Sequence, residues 1–153
     1  MHLRIRQIGA ACVLAIALAR PAFAQDEEPK TPLGKKMAAM NTAFKAVGRQ
    51  IDDPSKNANT LELIATIKTN AKAALALEPE KKQQVPVAEQ AKFVAGYQQG
   101  IKDLLVTVDK LEAAVKAGKN TDAVAIIDEM KKEQREGHKE YRIRKAGAPP
   151  GLR

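Results

Sequence analysis

The stretch AEQAKFVAGYQQGIKDLLVTVDKLEAAVKAG, residues 88–118, decides the fold class of this chain. Its larger apolar residues recur at spacings of three and four, which is the period of one face of an α-helix. These residues are Val94, Tyr97, Ile101, Leu104, Val108, Leu111 and Val115. Gly118 follows them in the position of a C-terminal cap. We therefore predict one long amphipathic helix over residues 88–117.

Three other segments show the same helical period. Their apolar seams predict helices over about residues 33–51, 60–77 and 122–145. No segment alternates with the period of two that is typical of strands. Four amphipathic helices with mostly short connections predict an all-α fold. The expected arrangement is an up-down-up-down antiparallel four-helix bundle over residues 33–145.

Polar residues mark where two of these helices begin. Asn59 or Thr60 is the expected N-cap of the second helix, and Asn120 or Thr121 that of the fourth. Short polar side chains at such positions accept hydrogen bonds from the free N–H groups of the first turn.

The first part of the chain reads as a targeting segment. In residues 1–24, Arg4 and Arg6 precede an apolar run over residues 8–19, and Ala22-Phe23-Ala24 forms a cleavage motif. The run has 12 residues, fewer than the ~20 that span a bilayer as a helix. We predict a cleaved secretory signal peptide and no stable membrane insertion.

Cleavage would remove the only cysteine, Cys12, and one of the two histidines, His2. A cysteine-attached haem, a cysteine-ligated zinc site and an iron–sulfur cluster are thereby excluded from the mature chain. His138 is its one remaining imidazole. We expect residues 25–32 to be flexible and the tail over 146–153, which is rich in glycine and proline, to be disordered.

The charge of the chain is basic but mixed. Loss of three arginines with the leader lowers the formal net charge from +8 to about +5. With three Phe, two Tyr and no Trp, the chain offers little of the stacking surface of a single-strand binder. We expect no nucleic acid partner, and interpret the charge as a solvated surface that can steer an acidic partner.

Met37 and His138 lie on the predicted inner seams of the first and fourth helices. These helices are antiparallel neighbours, with Met37 ~6 Å from one helix start and His138 ~10 Å from the other helix end. A thioether and an imidazole placed in this way can supply both axial ligands of a haem iron. Periodicity favours Met40 equally. Either methionine could instead be a packing residue, and His138 a solvated side chain.

Small residues leave room near this end of the bundle. Gly96 and Gly100 lie inside the third helix, where each costs roughly 1 kcal/mol relative to Ala. A close approach by another helix or by a ligand would compensate this cost. Tyr97 and Ile101, beside them, would offer apolar contact to a porphyrin.

The two ends of the domain carry a family resemblance. LGKKMAAMNTAFKAV, residues 33–47, and MKKEQREGHKEYR, residues 130–142, resemble the first and last helices of the cytochrome b562 family. The resemblance places Met37, rather than Met40, at the position of the methionine ligand, and His138 at that of the histidine ligand.

The resemblance implies a periplasmic protein that holds haem b without covalent attachment and transfers single electrons. It implies no enzyme activity, a redox partner protein that the sequence does not identify, and a monomer or weak dimer. Two residues depart from the family pattern. Ile101 stands where a phenylalanine packs beside the haem in the best-known member, and Gln134 replaces an arginine one turn before His138.

Two alternatives stay open at this point. One is a cofactor-free bundle that acts as an interaction module in the periplasm, with the same seam packed dry. The other is copper binding by Met37, Met40 and His138, because thioether and imidazole ligands suit copper.

Overall fold

The computed structural model of the protein describes residues 31–143. It contains four helices that run alternately up and down, and its described part has no strand. They are α1 (Pro32–Gly48), α2 (Asn57–Ala74), α3 (Val87–Lys116) and α4 (Asn120–Tyr141). Short 3-10 turns at Pro54–Lys56 and Glu80–Gln84 lie in the first two connections. The predicted all-α four-helix bundle is confirmed.

Several predicted features lie outside the described residues. They are the signal peptide over 1–24, nearly all of the flexible segment over 25–32, and the tail over 146–153. Within residues 31–143, no helix is long and apolar enough to cross a membrane.

The end of α3 follows from the local chemistry of Gly118 and Lys119. Gly118 has a positive φ of 68°, a conformation that costs glycine little because it has no Cβ. Its N–H donates to the carbonyl of Val115 at 3.1 Å, and the N–H of Lys119 donates to that of Ala114 at 2.9 Å. This pair of bonds is the Schellman arrangement that terminates helices. Gly118 therefore caps α3, as predicted.

The start of α2 differs from the prediction. The helix begins at Asn57, so Asn59 and Thr60 lie inside its first turn and are not N-caps. Both side chains accept hydrogen bonds at 2.9 Å from Nε2 of Gln50, which lies just beyond the end of α1 at Gly48. The two polar side chains therefore connect α2 to the end of α1 and do not cap α2.

The predicted N-cap of α4 is also wrong. Asn120 is the first residue of the helix, and Lys119 precedes it without a side-chain capping bond, so neither Asn120 nor Thr121 is the cap. The Asn120 side chain is buried and donates to the carbonyl of Ile51 at 2.7 Å and to Oδ1 of Asn57 at 2.9 Å. These long-range bonds tie α4 to the α1–α2 connection.

Three helices end earlier than the periodicity predicts. α1 ends at Gly48, before the predicted Ile51, and α2 ends at Ala74, before Leu77. α4 ends at Tyr141, where Arg142 turns extended with φ −96° and ψ 137°. Ile51 is still buried, because a turn after the helix returns its side chain to the core. The apolar period therefore continues past the helix end.

Buried apolar side chains form two clusters. The larger one, here called the main core, fills the bundle from its middle to the end that carries Asn120. The smaller one, here called the end cluster, consists of Met40, Ala71, Tyr97 and Ile101 and lies toward the end that carries His138. Consecutive helices pack closely on each other, but α4 approaches α1 less closely than it approaches α3. The bundle is thus most open between α1 and α4.

Candidate functional site

Met37 and His138 lie at the same depth on facing helices. Nε2 of Gln134 on α4 is 3.5 Å from Oδ1 of Asn41 on α1. Met37 precedes Asn41 by one helical turn, and His138 follows Gln134 by one turn. Because α1 and α4 are antiparallel, both steps lead toward the same end of the bundle. The two sequence-predicted donors therefore lie at a similar depth on α1 and α4.

His138 is more exposed than its position on the seam predicts. Along the inner face of α4, Ile127 and Met130 are buried, Gln134 is half-buried and His138 is exposed. Cover from α1 is limited, since α1 approaches α4 less closely than α3 does. The imidazole therefore lies at the mouth of the α1–α4 opening.

The surroundings of His138 favour its neutral form. The surrounding protein removes part of the ring from water, and this burial lowers the pKa of His138 below 6.5; the positive charge of Arg142 lowers it further. Both effects disfavour the imidazolium. A neutral imidazole keeps a free nitrogen lone pair, which is the form that ligates a metal.

The end cluster forms an apolar wall beside this opening. Tyr97 is 3% exposed and Ile101 is 7% exposed, and both pack in the same cluster as Ala71. The Tyr97 hydroxyl donates to the carbonyl of Ala74 at 3.1 Å, and burial raises the pKa of this tyrosine to about 12. The two residues predicted to contact a porphyrin thus lie in one cluster, with Tyr97 fixed by its hydrogen bond.

The two candidate methionines differ in burial. Met40 is 7% exposed and belongs to the end cluster itself. Met37 is half-buried and packs against that cluster from outside. A ligand that lies between α1 and α4 can reach the Met37 thioether without displacing core side chains, whereas Met40 would have to leave the core. Burial therefore separates two residues that periodicity leaves equal.

The two glycines of α3 have different neighbours. A Cβ at Gly96 would lie 2.8 Å from the hydroxyl oxygen of Tyr141, so the predicted close approach is confirmed there. A Cβ at Gly100 would meet nothing within 4 Å, so no other helix of residues 31–143 approaches closely at this position. Gly100 is exposed.

An aromatic group supports the end of α4; the apolar periodicity places Tyr97 and Tyr141 on inner seams but does not single out Phe93. The Tyr141 ring lies 5.1 Å from that of Phe93 and 5.7 Å from that of Tyr97, measured between centroids. Burial, and then the charge of Glu140, raise the pKa of Tyr141. The sequence signal for this contact was a glycine inside α3, Gly96, together with a large aromatic residue, Tyr141, on the neighbouring helix α4.

Basic side chains border the opening. Arg135 lies three residues before His138 on the same side of α4, and Arg142 follows directly after the end of the helix; both are exposed. Glu136 and Glu140 are two residues from His138, a spacing that directs them away from it. The sequence of α1 has three lysines and no acidic residue. Arg135 and Arg142 therefore place positive charge near His138.

The donor set narrows the possible ligands. Within residues 31–143, no group of three or more His, Cys, Asp or Glu side chains is placed to hold a metal ion. One imidazole and one thioether beside an apolar wall instead suit an iron already held by a macrocycle, or a copper ion. They do not suit Mg²⁺ or Ca²⁺, which prefer oxygen ligands.

Comparison with known proteins identifies the family of the chain. A family model described as cytochrome b562 matches residues 32–142, which is most of the chain. Among curated proteins, none matches the chain significantly. The matched range includes all four helices, both donors and the aromatic group. The chain therefore belongs to the cytochrome b562 family, a family of helical, haem-binding electron carriers and not of enzymes.

Proposed function

We propose that this protein is a one-electron carrier of the periplasm that binds haem b, with Met37 and His138 as the two axial ligands of its iron. The observation that carries the proposal is the shared depth of these residues on α1 and α4, set by the contact between Asn41 and Gln134. Family membership supports the haem cofactor and the carrier role.

The residues of the site fit such a group. His138 would offer a neutral imidazole nitrogen, because burial and then Arg142 lower its pKa. Met37 would offer its sulfur from a half-buried position on the opposite helix. Tyr97 and Ile101 would exclude water on the inner side. When bound, haem supplies reversible one-electron exchange, tuned by its axial ligands.

Two further features support the type of haem and the absence of an enzymatic reaction. The only cysteine of the sequence, Cys12, lies in the predicted leader, so binding without covalent attachment is the consistent choice. If both axial positions are taken by Met37 and His138, the iron keeps no open coordination position for a substrate. The expected function is then electron transfer.

The copper alternative is less well supported. It requires Met37, Met40 and His138 to converge on one ion, but Met40 is buried within the end cluster and Met37 lies outside it. The cofactor-free alternative gives no role to an imidazole and a thioether at a similar depth on the two helices between which the bundle is most open. Haem accounts for both observations.

The predicted leader supports a periplasmic location, and the charge near His138 supports a partner with an acidic face. A signal peptide over residues 1–24 would export the chain, in keeping with a periplasmic carrier. The arginines near His138, Arg135 and Arg142, favour a redox partner with an acidic face, since complementary charge speeds association. A soluble monomer or weak dimer would leave these arginines accessible.

An optical spectrum tests the proposal directly. Protein expressed with ample haem should be coloured and show sharp bands in the reduced-minus-oxidised difference spectrum. His138→Ala should abolish or broaden them, while Lys139→Ala, the matched neighbour, should leave them unchanged. Colourless wild-type protein whose melting temperature does not change with added hemin would overturn haem binding. Tight copper binding by that same protein would favour the copper alternative.

A further inference from the structure

The last turn of α4 is held by contacts that lie beside the proposed ligand but do not include it. Tyr141 follows His138 by three residues, which places both on the same side of the helix. The Tyr141 ring packs against Phe93 and Tyr97 of α3. The Lys81 ammonium group contacts the carbonyl oxygens of Lys139 and Glu140. The helix end is thus fastened on two sides.

Gly96 provides the space that one of these contacts needs. The Tyr141 hydroxyl oxygen would lie 2.8 Å from a Cβ at this position, and the next nearest atom, Cζ of the same ring, would lie at 3.9 Å. Any side chain at position 96 would therefore collide with the hydroxyl group alone. No such constraint exists at Gly100, where a Cβ meets nothing within 4 Å.

We propose that Gly96 and Tyr141 together position His138, and that Gly96 is glycine because the Tyr141 hydroxyl occupies the place of a side chain. This inference rests on the proposed role of His138 as a haem ligand. Gly96 and Tyr141 are positioning residues, since they act on the ligand through the backbone of α4 and not by contact with the cofactor.

A collision at position 96 would be transmitted to His138 for a structural reason. The Tyr141 ring packs against two aromatic rings of α3, that of Phe93 with planes inclined at 58° and that of Tyr97 at 71°. These neighbours restrict sideways motion of the ring, and an aromatic side chain has only two rotatable bonds with which to adapt. The remaining response is movement of the α4 backbone that carries Tyr141 and His138.

A pair of glycine substitutions tests the proposal. Gly96→Ala and Gly100→Ala make the same chemical change four residues apart in one helix, with the same gain in helix propensity. Gly96→Ala should weaken haem binding about 10-fold, the effect typical of losing a group that orients a ligand. It should also change the midpoint potential. Gly100→Ala should leave both unchanged.

A double variant separates positioning from a general loss of stability. In Gly96→Ala/Tyr141→Phe the colliding hydroxyl is absent, and haem affinity and potential should return to near the values of Tyr141→Phe alone. Failure of this rescue would overturn the proposal, as would a Gly96→Ala protein that behaves like Gly100→Ala. If Gly96→Ala alone does not fold, recovery in the double variant still decides the question.

A haem-free measurement distinguishes this inference from the proposed function. In leaderless protein without haem, His138 gives the only histidine signal in an NMR spectrum, because the other histidine is His2. Gly96→Ala should shift that signal, and Gly100→Ala should not. Wild-type protein that never binds haem would refute the proposed function. A shift of the His138 signal in Gly96→Ala would still support the positioning of His138 in that case. Absence of the shift would refute the positioning.

Discussion

Gln134 and Asn41 face each other across α4 and α1, one helical turn further into the bundle than His138 and Met37. This contact sets the register between α1 and α4. These two helices approach each other less closely than any two helices that follow one another in the chain. An imidazole and a thioether therefore lie at a similar depth on the two helices between which the bundle is most open. The proposed function depends on this relationship, and four predictions follow from the geometry around it.

Substitution of the two methionines should have different effects. Met37→Ala should change the absorption bands and the midpoint potential of the haem protein, because it removes a proposed axial ligand. Met40→Leu, a change of similar volume in the end cluster, should keep both and cost less than about 1.5 kcal/mol of stability. Difference spectra and chemical denaturation measure the two effects. Loss of the bands in Met40→Leu alone would reassign the ligand.

Tyr97 should make stability fall at high pH. Burial raises its pKa from 10.0 to about 12, so the folded protein keeps the phenol proton after the unfolded chain has lost it. The contribution is complete below pH 10 and is lost between about pH 10 and pH 12, on the order of 2 to 3 kcal/mol. Denaturation across this range should show the fall.

Tyr97→Phe is the control for this titration. It removes the hydroxyl that donates to Ala74 and should cost about 1 kcal/mol at neutral pH. Its stability should then decrease less than that of the wild type above pH 10. Equal slopes for the two proteins would show that other groups cause the alkaline loss.

His138 should titrate below pH 6.5 in the haem-free protein. Burial, then the positive charge of Arg142, lower its pKa, so the unfolded chain binds the proton more readily than the folded one. Its contribution to stability is therefore present above pH 6.5 and is lost as the pH falls through the lowered value. NMR titration of the imidazole measures the pKa. Arg142→Gln should move it upward, and an unchanged value would exclude that cause.

Surface charge near His138 should affect electron transfer with charged reagents. Oxidation of the reduced protein by ferricyanide, an anion, should slow as salt is added, whereas oxidation by a cationic cobalt complex should accelerate. Lys139→Glu should slow the ferricyanide reaction about fivefold at low ionic strength. Stopped-flow absorbance follows both reactions.

Lys110→Glu is the matched control, because it changes net charge equally on an exposed part of α3 toward the Asn120 end. It should change the ferricyanide rate less than about twofold. Equal effects of the two variants would indicate net charge, and not a local surface near His138, as the cause.

Helix number, order and inner faces were predictable from the sequence because the apolar period follows directly from helix geometry. Gly118 was predictable for a local reason, since its positive φ suits glycine. The roles of Asn120 and Thr60 were not predictable, because their hydrogen bonds join residues from different helices. A polar residue near a helix start has the same sequence pattern whether it caps that helix or bonds to another.

The candidate site was predictable only in part. Periodicity assigned His138 to the inner face of α4. It indicates which side of a helix a residue lies on, but not how closely neighbouring helices cover that side. The exposure of the imidazole could therefore not be inferred. Met37 and Met40 were equal by spacing and differ through burial. The fit of Tyr141 over Gly96 depends on a side chain reaching across two helices, a distance that the sequence does not specify.

The hydrogen bonds of Asn120 fasten α4 at the end opposite His138, next to the main core. Contacts there can persist while the last turns of α4 fray, since helix ends open at lower free energy than the whole domain. A bound cofactor could then exchange without global unfolding. Its residence time would be governed by the opening rate of one helix end, so a change at Tyr141 should alter it more than one at Asn120.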